Sequence, residues 1–407
     1  MWWPLRMFLA LGVLLLLQSA WSFIDGIRFL RLVRRKRSCP EGTHTPPAAV
    51  VIPCKAGDPG FDDNLDRFLN QDYPNYQVVF TVATEVDPAY RQIRERLESR
   101  AVSGMICNSR ASLVVAGIAE ERGEKVNNLL RGVERVDQTA EVLVFADIDA
   151  SPSSNWLRSL VAPLASSQVT VSTGFRWYLP GKGFASRLRA AWDTSIATFM
   201  GDHNHNPAWG GSMAIRAADF HRLHIAERHW ASTVSDDFSL SRAVREARGT
   251  IRFEPRCLVA SREESSLWEF LRWAARQMII TRVYAPVLWR MGLAVSLFYC
   301  GTVVWGLALL GTPGVPAHQR LVVAILLSAA ILLNGGKGYI RALVTRELFG
   351  RKTDRGDSCY WLLSPLVSGV MLVNLVMAAF ARRIEWRGTE YELVSPDRVR
   401  VVGRTSP

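Results

Sequence analysis

No CxxC pair occurs among the six cysteines, Cys39, Cys54, Cys107, Cys257, Cys300 and Cys359, and their scatter excludes a zinc site or a dense disulfide framework. Reduced, cytoplasmic thiols are the simplest account. Acidic residues are also short: 37 Asp and Glu stand against 49 Lys and Arg, a formal charge of +12. Such an excess suits nucleic acid, an anionic membrane surface or a phosphate-bearing substrate. Charge of either sign is scarce, at 21% of residues against 49% hydrophobic, which is too apolar for a purely soluble enzyme. The scarcity is local. From Met7 to Ile24 there is no charged residue, and about 20 apolar residues cross a bilayer as a helix.

The residues just beyond that run decide its character. Arg28, Arg31, Arg34, Arg35, Lys36 and Arg37 form a basic collar directly after it, the signature that holds the C-terminal side of a span in the cytoplasm. Arg6 and Gln18-Ser19-Ala20 resemble the charged region and cleavage site of a signal peptide, but the collar favours an anchor. Because the basic charge flanks apolar runs, no nucleic-acid partner is expected. Three further apolar segments, about Val287–Leu310, Leu321–Leu333 and Tyr360–Phe380, lie beyond Tyr284. Lys337, Arg341, Arg346, Arg351, Lys352 and Arg355 read as a basic loop before the last of them, and Arg382, Arg383 and Arg387 come after it. Both basic stretches should be cytoplasmic, so the Tyr360–Phe380 run, broken by Pro365, is either re-entrant or interfacial, or the charge rule fails for the tail.

Between the membrane segments the pattern changes. A polar linker, Ser38 to Pro47, leads to strand-like runs at Ala48–Pro53, Gln77–Val82, Ser112–Val115, Glu141–Ala146 and Gln168–Ser172. Helix-like stretches such as Asp62–Asn70 and Ala89–Ser99 separate them, and this alternation predicts an α/β domain with a parallel sheet. In such sheets ligands bind at the carboxyl ends of the strands. Asp147-Ile148-Asp149 leaves the strand Val142–Ala146 at such an end, and residues i and i+2 of an extended segment point the same way. Both carboxylates can therefore address one hard divalent cation, although Asp also suits a turn or a helix cap. Pro53-Cys54-Lys55 ends the first strand, Glu85-Val86-Asp87-Pro88 comes after the second, and Lys125 enters a helix where its charge could meet a phosphate. Ser235-Asp236-Asp237 opens another helix; a cap and a general base are both open to Asp237. Leu267 to Arg276 is an aromatic-rich amphipathic helix, interfacial by composition, with Arg272 a candidate phosphate clamp and Trp273 a candidate acceptor surface. His203 and His205 have metal-pair spacing but read better as a polar loop.

With PCK, EVDPAY, KVNNL, DID, WGGSM, SDDF and LRW in this order, from Val50 to Trp273, and with the tail Ile384-Glu385-Trp386-Arg387, the chain resembles the family-2 glycosyltransferases, and within them the ceramide glucosyltransferase group. The resemblance implies a glycosyltransferase A-type (Rossmann-like) fold, an inverting displacement, and Mg²⁺ or Mn²⁺ on Asp147 and Asp149. It implies Asp237 as base. Pro53, Lys55, Glu85, Lys125, Asp147 and Arg272 are then expected on the nucleotide-sugar, a UDP-sugar above all, and Trp273 on the acceptor. Two positions depart from the pattern: Glu269 stands where the family's (Q/R)xxRW element starts with Gln or Arg, and Thr84 stands where the group has its first aspartate, a place open to Glu85 or Asp87. Asp149 departs the other way, because the ceramide group commonly lacks a second carboxylate there.

The expected organisation is an anchor over 1–27, a basic segment and linker over 28–47, a catalytic domain over 48–262, an interfacial helix over 263–284, membrane segments over 285–381 and a cytoplasmic tail over 382–407. The expected reaction joins a hexose from a nucleotide-sugar donor to the hydroxyl of a membrane lipid such as ceramide, on the cytoplasmic face of an inner or plasma membrane. A polysaccharide synthase with a channel of membrane helices is the rival enzyme, and a nucleotide-sugar-binding membrane protein without activity the rival non-enzyme. The few short segments after the domain speak against the first, and the presence of Asp237 and the DxD pair against the second.

Overall fold

The apolar runs of the central sequence pair side by side into one sheet. The computed structural model describes residues 3–39, 42–58, 60–102, 109–350 and 358–404. Among these the chain forms β1 (Ala48–Pro53), β2 (Tyr76–Val82), β3 (Ser109–Val115), β4 (Val142–Ala146), β5 (Val169–Tyr178), β6 (Ser212–Arg216) and β7 (Thr250–Ser261), in the order β3-β2-β1-β4-β6-β5-β7. The half made of β3, β2, β1 and β4 is parallel, with Val50 facing Val78 on one side and Val144 on the other. β6 runs antiparallel to both β4 and β5, so the sheet is mixed. Alternate residues of one strand enter two different cores. Val50 and Ile52 pack with Val78, Phe80 and Val144 on one face, while Ala49 and Val51 pack with Val79, Leu143 and Phe145 on the other. Burial on both faces is why these strands read as continuous rather than alternating apolar runs.

The helix Glu124–Val133 lies so close to β1 that a Cβ on its Gly132 would collide with Val51. After the membrane segments come three further strands, β8 (Arg383–Trp386), β9 (Thr389–Ser395) and β10 (Arg398–Arg404), in an antiparallel sheet. The tail is thus a folded element rather than an appendage. It belongs to the same compact unit as the large sheet, a unit formed by 35–177, 199–262 and 382–407.

A second unit comprises 1–34, 178–198 and 263–381 and is helical. Among the described residues three helices are long and apolar enough to cross a membrane: Trp3–Ser38, Pro286–Gly311 and Ala317–Phe349. The chain is a membrane protein. Phe8 packs against Leu5, Leu309, Val323 and Leu327, and a Cβ on Gly306 would meet Phe8 and Leu327, so a small residue here allows close helix contact. The expected basic loop is corrected in part: Lys337, Arg341 and Arg346 continue the helix Ala317–Phe349, where Lys337 donates to Ser22 Oγ and Arg341 to Ser364 Oγ, so these two cations find partners on a helix. Arg351, Lys352 and Arg355 lie outside the described residues. The last apolar run is two helices, Ser358–Leu362 and Ser364–Phe380, with Pro365 in the first turn of the second. Proline fits there because a first-turn N–H has no intrahelical acceptor.

Candidate functional site

β4 ends at Ala146, and the two carboxylates of the DxD segment come next, on one side of the sheet edge. Asp147 accepts the Lys125 ammonium at 2.8 Å through Oδ1 and the Arg176 guanidinium at 3.2 Å through Oδ2. Asp149 takes the same guanidinium in a fork, with Nη1 at 2.8 Å and Nη2 at 2.7 Å. Arg176 reaches them from β5 and stacks over the Trp209 ring at 5.2 Å. Burial alone would raise the pKa of Asp147. Lys125 and Arg176 outweigh it and hold the carboxyl below its ordinary value.

Lys125 makes a second ion pair, to Asp236 Oδ2 at 3.2 Å. Burial opposes its charge, yet Asp147, Asp236 and Asp237 together raise the pKa of the ammonium above its ordinary value. Asp236 itself is 2% exposed. Its burial, reinforced by Asp237 and Asp147, overcomes Lys125 and pushes its pKa up to about 7. Asp237, partly exposed, accepts Ser235 Oγ–H at 2.6 Å and Phe238 N–H at 2.7 Å on Oδ1, and Gly210 N–H at 3.3 Å on Oδ2. The helix cap itself is Ser235, whose hydroxyl accepts from Phe238 N–H. A Cβ on Gly210 would strike the Asp236 carboxylate, and one on Gly211 the Trp209 ring and Asp147. Two consecutive glycines therefore let the backbone touch the acidic cluster.

Of the residues singled out in the sequence, Lys125, Asp147, Asp149 and Asp237 are brought into this one cluster. Pro53 closes β1, and Lys55 just beyond it pairs with Glu124 at 3.1 Å. Glu85 stands exposed in the turn after β2. Its neighbour Asp87 accepts from Ala56 and Ala89 N–H groups at 3.0 and 2.9 Å, tying two loops together. Arg272 and Trp273 lie on Leu267–Tyr284 in the helical unit. There Arg272 is exposed over Trp268, and Trp273 packs on Tyr178 and Trp192 with Arg189 at 4.4 Å from its ring. Glu269 has a local explanation: with Ser266 it forms a capping box, Ser266 N–H donating to Glu269 at 2.7 Å and Glu269 N–H to Ser266 Oγ at 3.2 Å. His203 Nδ1 accepts from His205 N–H at 3.2 Å within a local turn. Among the described residues no group of three or more His, Cys, Asp or Glu is placed to hold a metal ion.

Three members of the neighbourhood were not singled out for it: Arg176, Asp236 as a buried partner of Lys125, and Asp58. The signal for Arg176 was present, a lone cation inside the apolar strand Phe175-Arg176-Trp177. Asp58, with a side chain 9% exposed, accepts a forked ion pair from Arg387 of the tail, one arm at 2.9 Å.

Similar solved structures include the mannosyltransferase from Pyrobaculum calidifontis in complex with GDP-Man and Mn²⁺, at 14% identity and a TM-score of 0.46, covering 91% of this chain and 97% of that one. Glucosyl-3-phosphoglycerate synthase from Mycobacterium tuberculosis, in complex with phosphoglyceric acid, matches at 14% identity and a TM-score of 0.35, over 60% of this chain and 79% of its own. GalNAc-T7 with UDP, GalNAc and Mn²⁺ matches at 14% identity and a TM-score of 0.38, over 55% and 44% respectively. A family model described as Glycosyl transferase family 21 matches residues 14–399, nearly the whole sequence, and agrees with the ceramide glucosyltransferase-like group that the motifs resemble. The chain belongs to glycosyl transferase family 21 and is a glycosyltransferase.

Proposed function

We propose that this enzyme transfers a hexose, with inversion, from a nucleotide-diphospho-sugar to the hydroxyl of a membrane lipid such as ceramide, with UDP-glucose or a related UDP-sugar as donor. The observation that carries the reading is the cluster of Asp147, Asp149, Lys125 and Arg176 at the carboxyl ends of the parallel strands. Cations and paired carboxylates there suit a diphosphate.

The two DxD carboxylates already share one cation, since Arg176 Nη2 lies 3.2 Å from Asp147 and 2.7 Å from Asp149. The pair therefore fits Mg²⁺ or Mn²⁺, with donor phosphate oxygens completing the ligand set. Such an ion would offset the negative charge that develops on the leaving diphosphate. Lys125 and Arg176 supply positive charge at the same place, fixed in advance by their carboxylate partners. As the acceptor oxygen bonds to the anomeric carbon, the bond to the diphosphate oxygen breaks and its electron pair leaves with the diphosphate. The hydroxyl proton passes to Asp237. Asp236 is buried and clamped by Lys125, whereas Asp237 is partly exposed, and a base must reach its proton. Pro53, Lys55 and Glu85 are assigned to the nucleotide side, and Arg272 and Trp273 to donor and acceptor on the resemblance alone.

Purified enzyme in detergent, incubated with a panel of radiolabelled nucleotide sugars and a lipid extract, should yield a single labelled glycolipid from one donor. A water-soluble labelled polymer, or no transfer from any donor, would overturn the reading.

A further inference from the structure

The turn between β8 and β9 has two residues, Arg387 and Gly388, since Trp386 pairs directly with Thr389. Both have positive φ, 51° and 80°. A turn of this kind favours Asn-Gly or Asp-Gly, and an arginine held there is strained, because its Cβ crowds the following carbonyl oxygen. Strain of this sort persists where the surrounding structure fixes it. Here Lys55 Nζ donates to the Arg387 carbonyl at 3.0 Å and pairs with Glu124 at 3.1 Å, and Glu124 N–H donates to the Tyr391 hydroxyl at 3.1 Å. The tip of the tail is thereby pinned between the loop after β1 and the first turn of the helix that carries Lys125. Farther out, Arg404 donates to the Ala119 carbonyl and Arg242 pairs with Asp397.

What the turn presents is a guanidinium. Arg387 forks onto Asp58 through Nη1 and Nη2, which engages two of the five N–H donors of an arginine. Its side chain is 39% exposed. Asp149 and Asp147 act on its charge as Asp58 does, so it stands in the field of the DxD pair. The tail thus adds a third cation, beside Lys125 and Arg176, at the strand ends.

We infer that the C-terminal sheet is part of the donor site, and that Arg387 binds the diphosphate of the nucleotide-sugar, with Asp58 and Lys55 positioning it. The inference rests on the proposed donor. Arginine suits the task because its planar fork matches phosphate oxygens, and the alternative, a bolt that only holds the tail in place, has no need of a strained residue at the tip.

Binding of UDP and of uridine to the full-length protein in detergent, measured by calorimetry, tests it. Arg387→Asn is the informative variant, because Asn tolerates positive φ and keeps the turn while removing the guanidinium. UDP should bind about 10–100-fold more weakly, the loss of charge-assisted hydrogen bonds, with uridine unchanged and Arg387→Lys in between. Asp397→Ala, which removes the Arg242 pair elsewhere on the tail, should bind both like the wild type. Unchanged UDP binding in Arg387→Asn would overturn the inference while leaving the donor reading intact. So would equal losses for UDP and uridine, or a matching loss in Asp397→Ala, since either marks a structural bolt. A wild-type protein that binds none of UDP, GDP, CDP or ADP would overturn the donor reading and the inference with it.

Discussion

Lys125 stands among three carboxylates, and what each can do depends on its share of that charge. Asp147 takes the shorter pair at 2.8 Å, leaving Asp236 at 3.2 Å with its pKa near 7. A carboxyl whose folded value lies above its unfolded value, about 3.9, holds more protons when folded between the two. Stability from this group therefore falls as pH rises from about 4 to about 7. Asp236→Asn cannot titrate, so its melting temperature should gain on the wild type across that window; a constant difference from pH 4.5 to 7.5 would refute the raised value. Chemistry separates the neighbours differently. Asp237→Asn should fold normally, since Ser235 caps the helix, while turnover falls about 10²–10⁴-fold. Glycolipid formation at saturating donor is the measure, and a near-normal rate in Asp237→Asn, or a larger loss in Asp236→Asn, would move the base. Chelation should abolish turnover if Asp147 and Asp149 hold an ion; full activity in excess EDTA would leave the cationic side chains, Lys125, Arg176 and Arg387, to face the diphosphate.

At the scale of elements, legibility in the sequence tracks burial. β1, β2, β4 and the start of β5 are buried on both faces and were legible within a residue or two. β7 escaped because Arg252, Glu254 and Arg256 interrupt its apolar residues, and Glu254 is buried only because Lys36 and Arg256 pair with it. β6 has five residues, too few for a pattern. In the tail, buried Tyr391 lies between Glu390 and Glu392 and buried Val399 between Arg398 and Arg400, so no continuous apolar run marks these strands. The DxD pair was legible, since a strand end and spacing suffice to place it. Arg176, Asp58 and Arg387 were not, because their meeting depends on segments far apart in sequence. Glu269 shows local chemistry overriding a family pattern, and it carries a prediction. Gln also completes a capping box, so Glu269→Gln should keep its melting temperature and its donor KM, whereas Ser266→Ala should lose about 1 kcal/mol of stability. Several-fold tighter donor binding in Glu269→Gln would show that the side chain at this position faces the donor after all.

For the whole molecule the folded tail bears on topology. Its three strands and the large sheet belong to one unit, so both must occupy the same side of the membrane. By the charge rule the collar Arg28 to Arg37 makes the cytoplasm the expected side. On that expectation Pro286–Gly311 would leave the cytoplasm and Ala317–Phe349 would return to it, with Lys337, Arg341 and Arg346 towards the basic side. Ser364–Phe380 would have to start and finish there. Its 17 residues extend about 26 Å as a helix, short of the roughly 30 Å hydrocarbon core. The expected arrangement is three crossings and one helix that enters the membrane without traversing it. Cys39 is a native reporter: it is exposed, whereas Cys54, Cys257 and Cys359 are buried. In a Cys107→Ser, Cys300→Ser background, a membrane-impermeant maleimide should label Cys39 only after lysis, and an antibody tag at the C-terminus should be reached only then. Labelling of Cys39 in intact cells would reverse the orientation. A tag reached in intact cells while Cys39 stays protected would make Ser364–Phe380 a fourth crossing, and would be incompatible with β8, β9 and β10 packing in one unit with the catalytic sheet.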